Sequence, residues 1–203
     1  RVLDNTLIVY VNDNGWEQAG DVEYADNHIT LANGGPRGKG SFFETGFRTP
    51  IIFYWQGKIT ALRDTETFAS AIDIMPTILD YIGVETPDGL PGYSLKPTID
   101  GAAQEGAREF FVGRMTQHRA GTDFRGKPSN NTDDHMGAAL RGYYRRDHDW
   151  HFVWLPQSEE TALYDLNQDP GQLTDVAAAN IDKVEAFKAD IQAWRDVYET
   201  PAP

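Results

Sequence analysis

Residues 6–15 read Thr6-Leu-Ile-Val-Tyr-Val-Asn-Asp-Asn-Gly15, an apolar run of β-branched and aromatic residues that ends in a polar turn. Such a run, without alternation, predicts a strand buried on both faces in a parallel sheet. A second run, Pro50-Ile-Ile-Phe-Tyr-Trp55, follows a glycine-rich loop at residues 33–40 and closes at Gln56-Gly57. Both strands need covering on two sides, which places them in an α/β sheet. Ligands of open α/β sheets sit beyond the carboxyl ends of the strands, so Asp13 and Asn14 are candidate metal ligands. A carboxylate and an amide oxygen suit a hard cation, calcium or magnesium, rather than zinc or copper. The competing reading, an Asn-Gly hairpin turn, is disfavoured because residues 16–23 do not alternate as a returning strand would.

Lys39 stands between Gly38 and Gly40, after Arg37. Glycine on each side lets the backbone approach an oxyanion while the ammonium neutralises it. This is not a nucleotide loop of the G-x-x-x-x-G-K-[ST] type, since Gly40 follows the lysine. The net charge of −13 argues against nucleic acid or an anionic membrane as a partner. Residues 34–63, however, hold five bases against one acid, whereas residues 158–200 hold ten acids and three bases. One locally basic stretch in an acidic protein suits a small anion. The absence of cysteine excludes disulfides, thiolate metal sites and a cysteine nucleophile within this chain. No segment approaches the roughly 18 uninterrupted apolar residues of a membrane helix.

Further along, residues 66–82 read mainly as helix, with Asp73 as a cap, Pro76 opening the last part, Ile74, Ile78 and Ile82 four apart, and Gly83 as the stop. Residues 1–85 then form one part, 86–108 a turn-rich linker and 109–203 a second part. In the second part, strand candidates at 109–115, 138–144, 150–154 and 162–166 have hairpin spacing, which predicts a small antiparallel sheet. Residues 116–136 read as a long polar loop. Ile181, Val184, Phe187, Ile191 and Trp194 recur at three to four, a helix whose apolar stripe should cover one face of that sheet.

The order of these features resembles the sulfatase family. That family reads strand, S/T-D-N-G, loop, G-K-G-(S/T)-x-(W/Y/F)-E-G-G-x-R-x-P, strand, W-P-G; this chain has Asp13-Asn14-Gly15, then Gly38-Lys39-Gly40-Ser41-Phe42-Phe43-Glu44-Thr45-Gly46-Phe47-Arg48-Thr49-Pro50, then Trp55-Gln56-Gly57. Asp73 to Leu79 is similar to the family's D-x-x-P-T-(I/L)-L helix, Gly92 to Pro97 to its G-x-S-L-x-P loop, and Leu163 to Gln172 to its L-Y-D-L-x-x-D-P-x-E turn. Thr45, Gln56 and Gln172 depart from the pattern without removing a ligand. The resemblance implies the C-terminal part of a sulfatase-like mixed sheet with flanking helices, followed by the small sheet and its helix. It also implies that Asp13 and Asn14 bind a divalent cation, usually calcium, and that Lys39 contacts the sulfate. Glu44, Gly46 and Arg48 are then architectural, with Arg48 as a lesser candidate for a second anion contact.

Nothing in the chain matches the family's C/S-x-P-x-R motif, whose cysteine or serine becomes the formylglycine nucleophile. Asp133-Asp134-His135 echoes the family's N-terminal Asp-Asp pair but lacks a buried strand before it. The expectation is therefore a fragment, inactive alone, that needs the N-terminal half of the catalytic domain and could self-associate through its exposed strands. A sulfate ester is the implied substrate, and phosphate or phosphonate esters are the alternative. A noncatalytic module that only binds an anion or partner is the reading from another class. Trp16 could stack on an aryl or sugar group. Among His28, His118, His148 and His151, each more often a surface or satisfied core residue, His118 is the best placed to line a cleft. Periplasmic or secreted placement of the parent fits the family.

Overall fold

The structure, a computed structural model, describes residues 2–16, 37–102, 108–117, 124–125 and 140–199. In chain order its elements are strand β1 (Ile8–Val11), the one-turn helix α1 (Glu44–Phe47), strand β2 (Ile51–Tyr54), helix α2 (Ile74–Tyr81), the one-turn helix α3 (Lys96–Ile99), strands β3 (Phe111–Gln117), β4 (Leu140–Arg146), β5 (Trp150–Leu155) and β6 (Glu160–Asp165), and helix α4 (Ile181–Tyr198). They group into two compact units, Arg1–Asp13 with Thr49–Glu109, and Asn14–Arg48 with Phe110–Pro203. Residues 14–48 go with the C-terminal sheet, and residues 86–108 go with the first unit. The cause is packing: Phe42 and Phe43, 0% and 2% exposed, lie in that sheet's core.

In the first unit β1 and β2 pair antiparallel, with Ile8 opposite Tyr54 and Tyr10 opposite Ile52. The expectation of parallel neighbours is corrected here, because an apolar run shows which faces suit burial and not the direction of the adjoining strand. The helix expected over residues 66–82 begins later, with a 3-10 turn at Ala71–Asp73 leading into α2. The Asp64 carboxylate accepts the backbone N–H groups of Glu66 and Thr67 at 2.7 and 2.9 Å, a local turn that competes with helix over those residues. Ser70 and Asp73 form a capping box, and Gly83 ends the helix at φ +70°. The buried Asp73 carboxylate also takes two hydrogen bonds from Arg108, at 2.6 and 2.7 Å.

In the second unit the sheet runs β3-β4-β5-β6, antiparallel throughout, as hairpin spacing predicts. Alternation along β5 sends Phe152 and Trp154 to one face and Val153 and Leu155 to the other. On the first face Val184, Phe187 and Ile191 of α4 close a core with Phe152 and Leu163. On the second, Val153, Leu155 and Tyr164 pack against Phe42 and Phe43 of the Gly-Lys-Gly loop. The loop carrying Lys39 is thus one of the two covers of the sheet. Among the described residues no helix is long and apolar enough to cross a membrane.

Candidate active site

Three backbone segments of the second unit are stitched side by side. Gly15 N–H donates to the Gly46 carbonyl at 2.9 Å, Trp16 N–H to the Thr45 carbonyl at 2.7 Å, and Lys39 N–H to the Trp16 carbonyl at 2.7 Å. At two points the approach leaves no room for a side chain. A Cβ on Gly15 would lie 2.3 Å from the Thr45 oxygen, and one on Gly46 would lie 2.4 Å from the Gly38 oxygen. These glycines serve close backbone approach, which brings Asn14, Trp16 and Lys39 onto adjoining segments.

Asn14 donates its amide nitrogen to the Gly15 carbonyl at 2.8 Å, so Oδ1 is the atom it would offer a cation. Asp13, exposed, follows β1 and ends the first segment of the first unit. Both are hard oxygen donors, the chemistry a calcium ion takes, but they supply two or three of its six to eight oxygens. Among the described residues no group of three or more His, Cys, Asp or Glu side chains could hold a metal. Asp13 and Asn14 fit part of an oxygen shell and not a whole one. The Lys39 side chain is exposed, and Trp16 is 58% exposed. His28, His118 and the Asp133-Asp134-His135 echo lie outside the described residues.

The lysine loop is tied to the sheet at several points. Arg37, 5% exposed, donates to the carbonyls of Gly171, Gln172 and Arg125 and lies over the Phe43 ring. Glu44 accepts from Arg146 of β4 and, at 3.2 Å, from Arg48. Burial pushes the Glu44 carboxyl up, but the Arg146 guanidinium, its hydrogen bond and Arg48 outweigh that and hold it below the usual range. The Phe42 carbonyl accepts from His151 Nε2 at 2.7 Å, and Phe42 lies against Gly142, where a Cβ would meet its ring at 2.9 Å. His151 is fully buried among Phe43, Phe47, Tyr144 and Tyr164, and burial pushes its pKa down to about 4. Its Nδ1 has no partner among the described residues. The Glu44–Arg48 pair was legible as architecture, but Arg146 and the tethering role of His151 were not. The available hint was a lone polar residue inside the apolar run Trp150-His-Phe-Val-Trp-Leu155.

The family model described as N-sulphoglucosamine sulphohydrolase, C-terminal, matches residues 37–194. This chain belongs to the sulfatase family, as a C-terminal part. It is 34% identical over 122 residues to human Arylsulfatase D, covering 57% of this chain and 20% of that protein. Among solved structures, a phosphonate monoester hydrolase of Agrobacterium radiobacter superposes with a TM-score of 0.66 at 26% identity, over 95% of this chain and 35% of that one. BT4656, solved in complex with its substrate D-glucosamine-2-N,6-O-disulfate, gives 0.60 at 21% identity, over 99% and 36%. This sulfatase part spans about a third or less of the length of the relatives it matches. Their agreement extends to the mixed fold, with its four-stranded antiparallel sheet and C-terminal helix.

Proposed function

We propose that this chain supplies part of the active site of a sulfuric ester hydrolase and turns over substrate only together with the N-terminal part of the catalytic domain. Asp13 and Asn14 hold a divalent cation, most simply calcium, with further oxygens from that other part. The bound cation would offset charge on the sulfate oxygens. Lys39 places its ammonium against the same group, where a charge held in advance stabilises the oxyanion as it develops. Trp16 and His118 contribute to binding the organic portion of the ester. The nucleophile, a formylglycine, comes from the part that carries C/S-x-P-x-R.

The observation that supports this reading is the backbone stitching of residues 15–16, 39 and 45–46, which sets Asn14 and Lys39 on neighbouring segments. Sequencing upstream of Arg1 and expressing the longer reading frame tests it. Sulfate esters should be hydrolysed by the longer protein and not by this chain. Lys39→Ala should lower kcat/KM by about 100-fold or more, and unchanged kcat/KM would remove Lys39 from the site. Phosphonate esters are the second reading, favoured by the 26% identity to a phosphonate monoester hydrolase. Preference of the longer protein for those esters over sulfate esters would decide for it.

A further inference from the structure

A cavity of about 250 Å³ opens in the second unit between Trp16, Thr45, Arg48 and Gly171. It is slightly smaller than the roughly 300–1,000 Å³ of drug-sized ligand sites, a size that suits a single ring. One wall is the indole of Trp16, 58% exposed, an apolar face on which the C–H face of a sugar stacks. Another is Arg48, whose side chain is 69% exposed. Its Nη1 is held at 3.2 Å by Glu44, which orients the guanidinium and leaves the rest of the fork facing solvent. Glu44 also serves Arg146, so a single carboxylate is shared by two guanidiniums. Buried Arg37 is the second cation of the lining, against the one carboxylate of Glu44. This positive balance stands in a chain of net charge −13. The same Trp16 whose ring forms the wall accepts the Lys39 N–H on its carbonyl, so the cavity adjoins the lysine loop.

We propose that this cavity is a subsite for an acidic sugar residue: the ring rests on Trp16 and a charged group, distinct from the one at Lys39, pairs with Arg48. The substrate is then a sugar bearing at least two acidic groups, because a neutral aryl group would leave the Arg48 fork unused. This assignment rests on the placement of the scissile sulfate at Lys39, and its test separates the two.

The chain is labelled with 5-fluorotryptophan, the Trp16 resonance is assigned with Trp16→Phe, and 19F spectra follow titrations with glucose 6-sulfate and glucose 3,6-disulfate. The disulfate should shift Trp16 at a concentration about tenfold lower than the monosulfate, the increment of one charge-assisted contact. Arg48→Ala should collapse the disulfate titration onto the monosulfate one, and Arg48→Lys should restore part of the difference. Equal titrations of the two sugars, or a disulfate titration indifferent to Arg48→Ala, overturn the subsite. If Lys39→Ala weakens monosulfate binding while Arg48→Ala changes nothing, the lysine assignment stands and the subsite falls. If Lys39→Ala changes nothing while Arg48→Ala removes the disulfate advantage, the subsite stands and the lysine assignment falls. No response of Trp16 to either sugar overturns the subsite, and the lysine assignment is then judged by kcat/KM of the longer protein.

Discussion

His151 couples the loop that carries Lys39 to the acid sensitivity of the fold. Its folded pKa of about 4 lies below the ordinary 6.5 because burial disfavours the imidazolium. The unfolded chain therefore takes up a proton near pH 6.5 that the folded chain refuses until about pH 4, so stability is full above 6.5 and falls as pH drops across that window. The loss amounts to about 3 kcal/mol at its greatest. Glu44 contributes in the same direction but lower, since its depressed folded pKa matters only as pH falls below the ordinary 4.5. Urea unfolding at pH 7.5 and pH 5 brackets most of the His151 window and stays above the range in which Glu44 acts. His151→Gln should abolish most of the difference between those two conditions, and an undiminished difference would acquit His151. At this scale Lys39, Asp13 and Asn14 are candidates that motifs a few residues long single out. Arg146 and His151 were not legible, because they meet Glu44 and Phe42 from more than a hundred residues away.

Elements were legible where their period was unambiguous. Hairpin spacing placed a strand at 150–154, within a residue of β5, Trp150–Leu155, and the three-to-four spacing of Val184, Phe187 and Ile191 gave both α4 and its buried stripe. The apolar runs of β1 and β2 gave strands but not their antiparallel pairing. Helix α2 was overextended because the Asp64 turn is a side-chain effect that apolar spacing does not report. Arg108 clasps α2 at its start, where the wholly buried Asp73 carboxylate also accepts the N–H groups of Ser70 and Tyr93. Arg108→Ala leaves that carboxylate short of its cation and should cost roughly 3–5 kcal/mol. Asp73→Asn with Arg108→Ala, which removes both charges, should cost less than Arg108→Ala alone. Additive losses in this double-mutant cycle, measured by denaturant unfolding, would show that the pair is not coupled.

At the scale of the whole molecule, the β1–β2 ribbon is the feature least suited to a chain on its own. Ile8, Tyr10, Ile52 and Tyr54 share one face and are 43%, 51%, 51% and 47% exposed. Strands of this composition are normally covered on both sides in α/β proteins, and a two-stranded ribbon is marginal without further strands or a helix. Relatives about three times as long have chain to spare for such a cover. In this chain alone, the exposed face and the strand edges, unpaired among the described residues, invite a second copy. Sedimentation velocity should accordingly show association that grows with protein concentration. Tyr10→Lys with Ile52→Lys puts two cations on cross-strand partners of that face, where a second copy would have to bury them, and should return the chain to a single monomeric species. A wild-type chain that sediments as a monomer at every concentration, or association unmoved by the two lysines, would place the contact elsewhere and leave the ribbon's apolar face without a part in it.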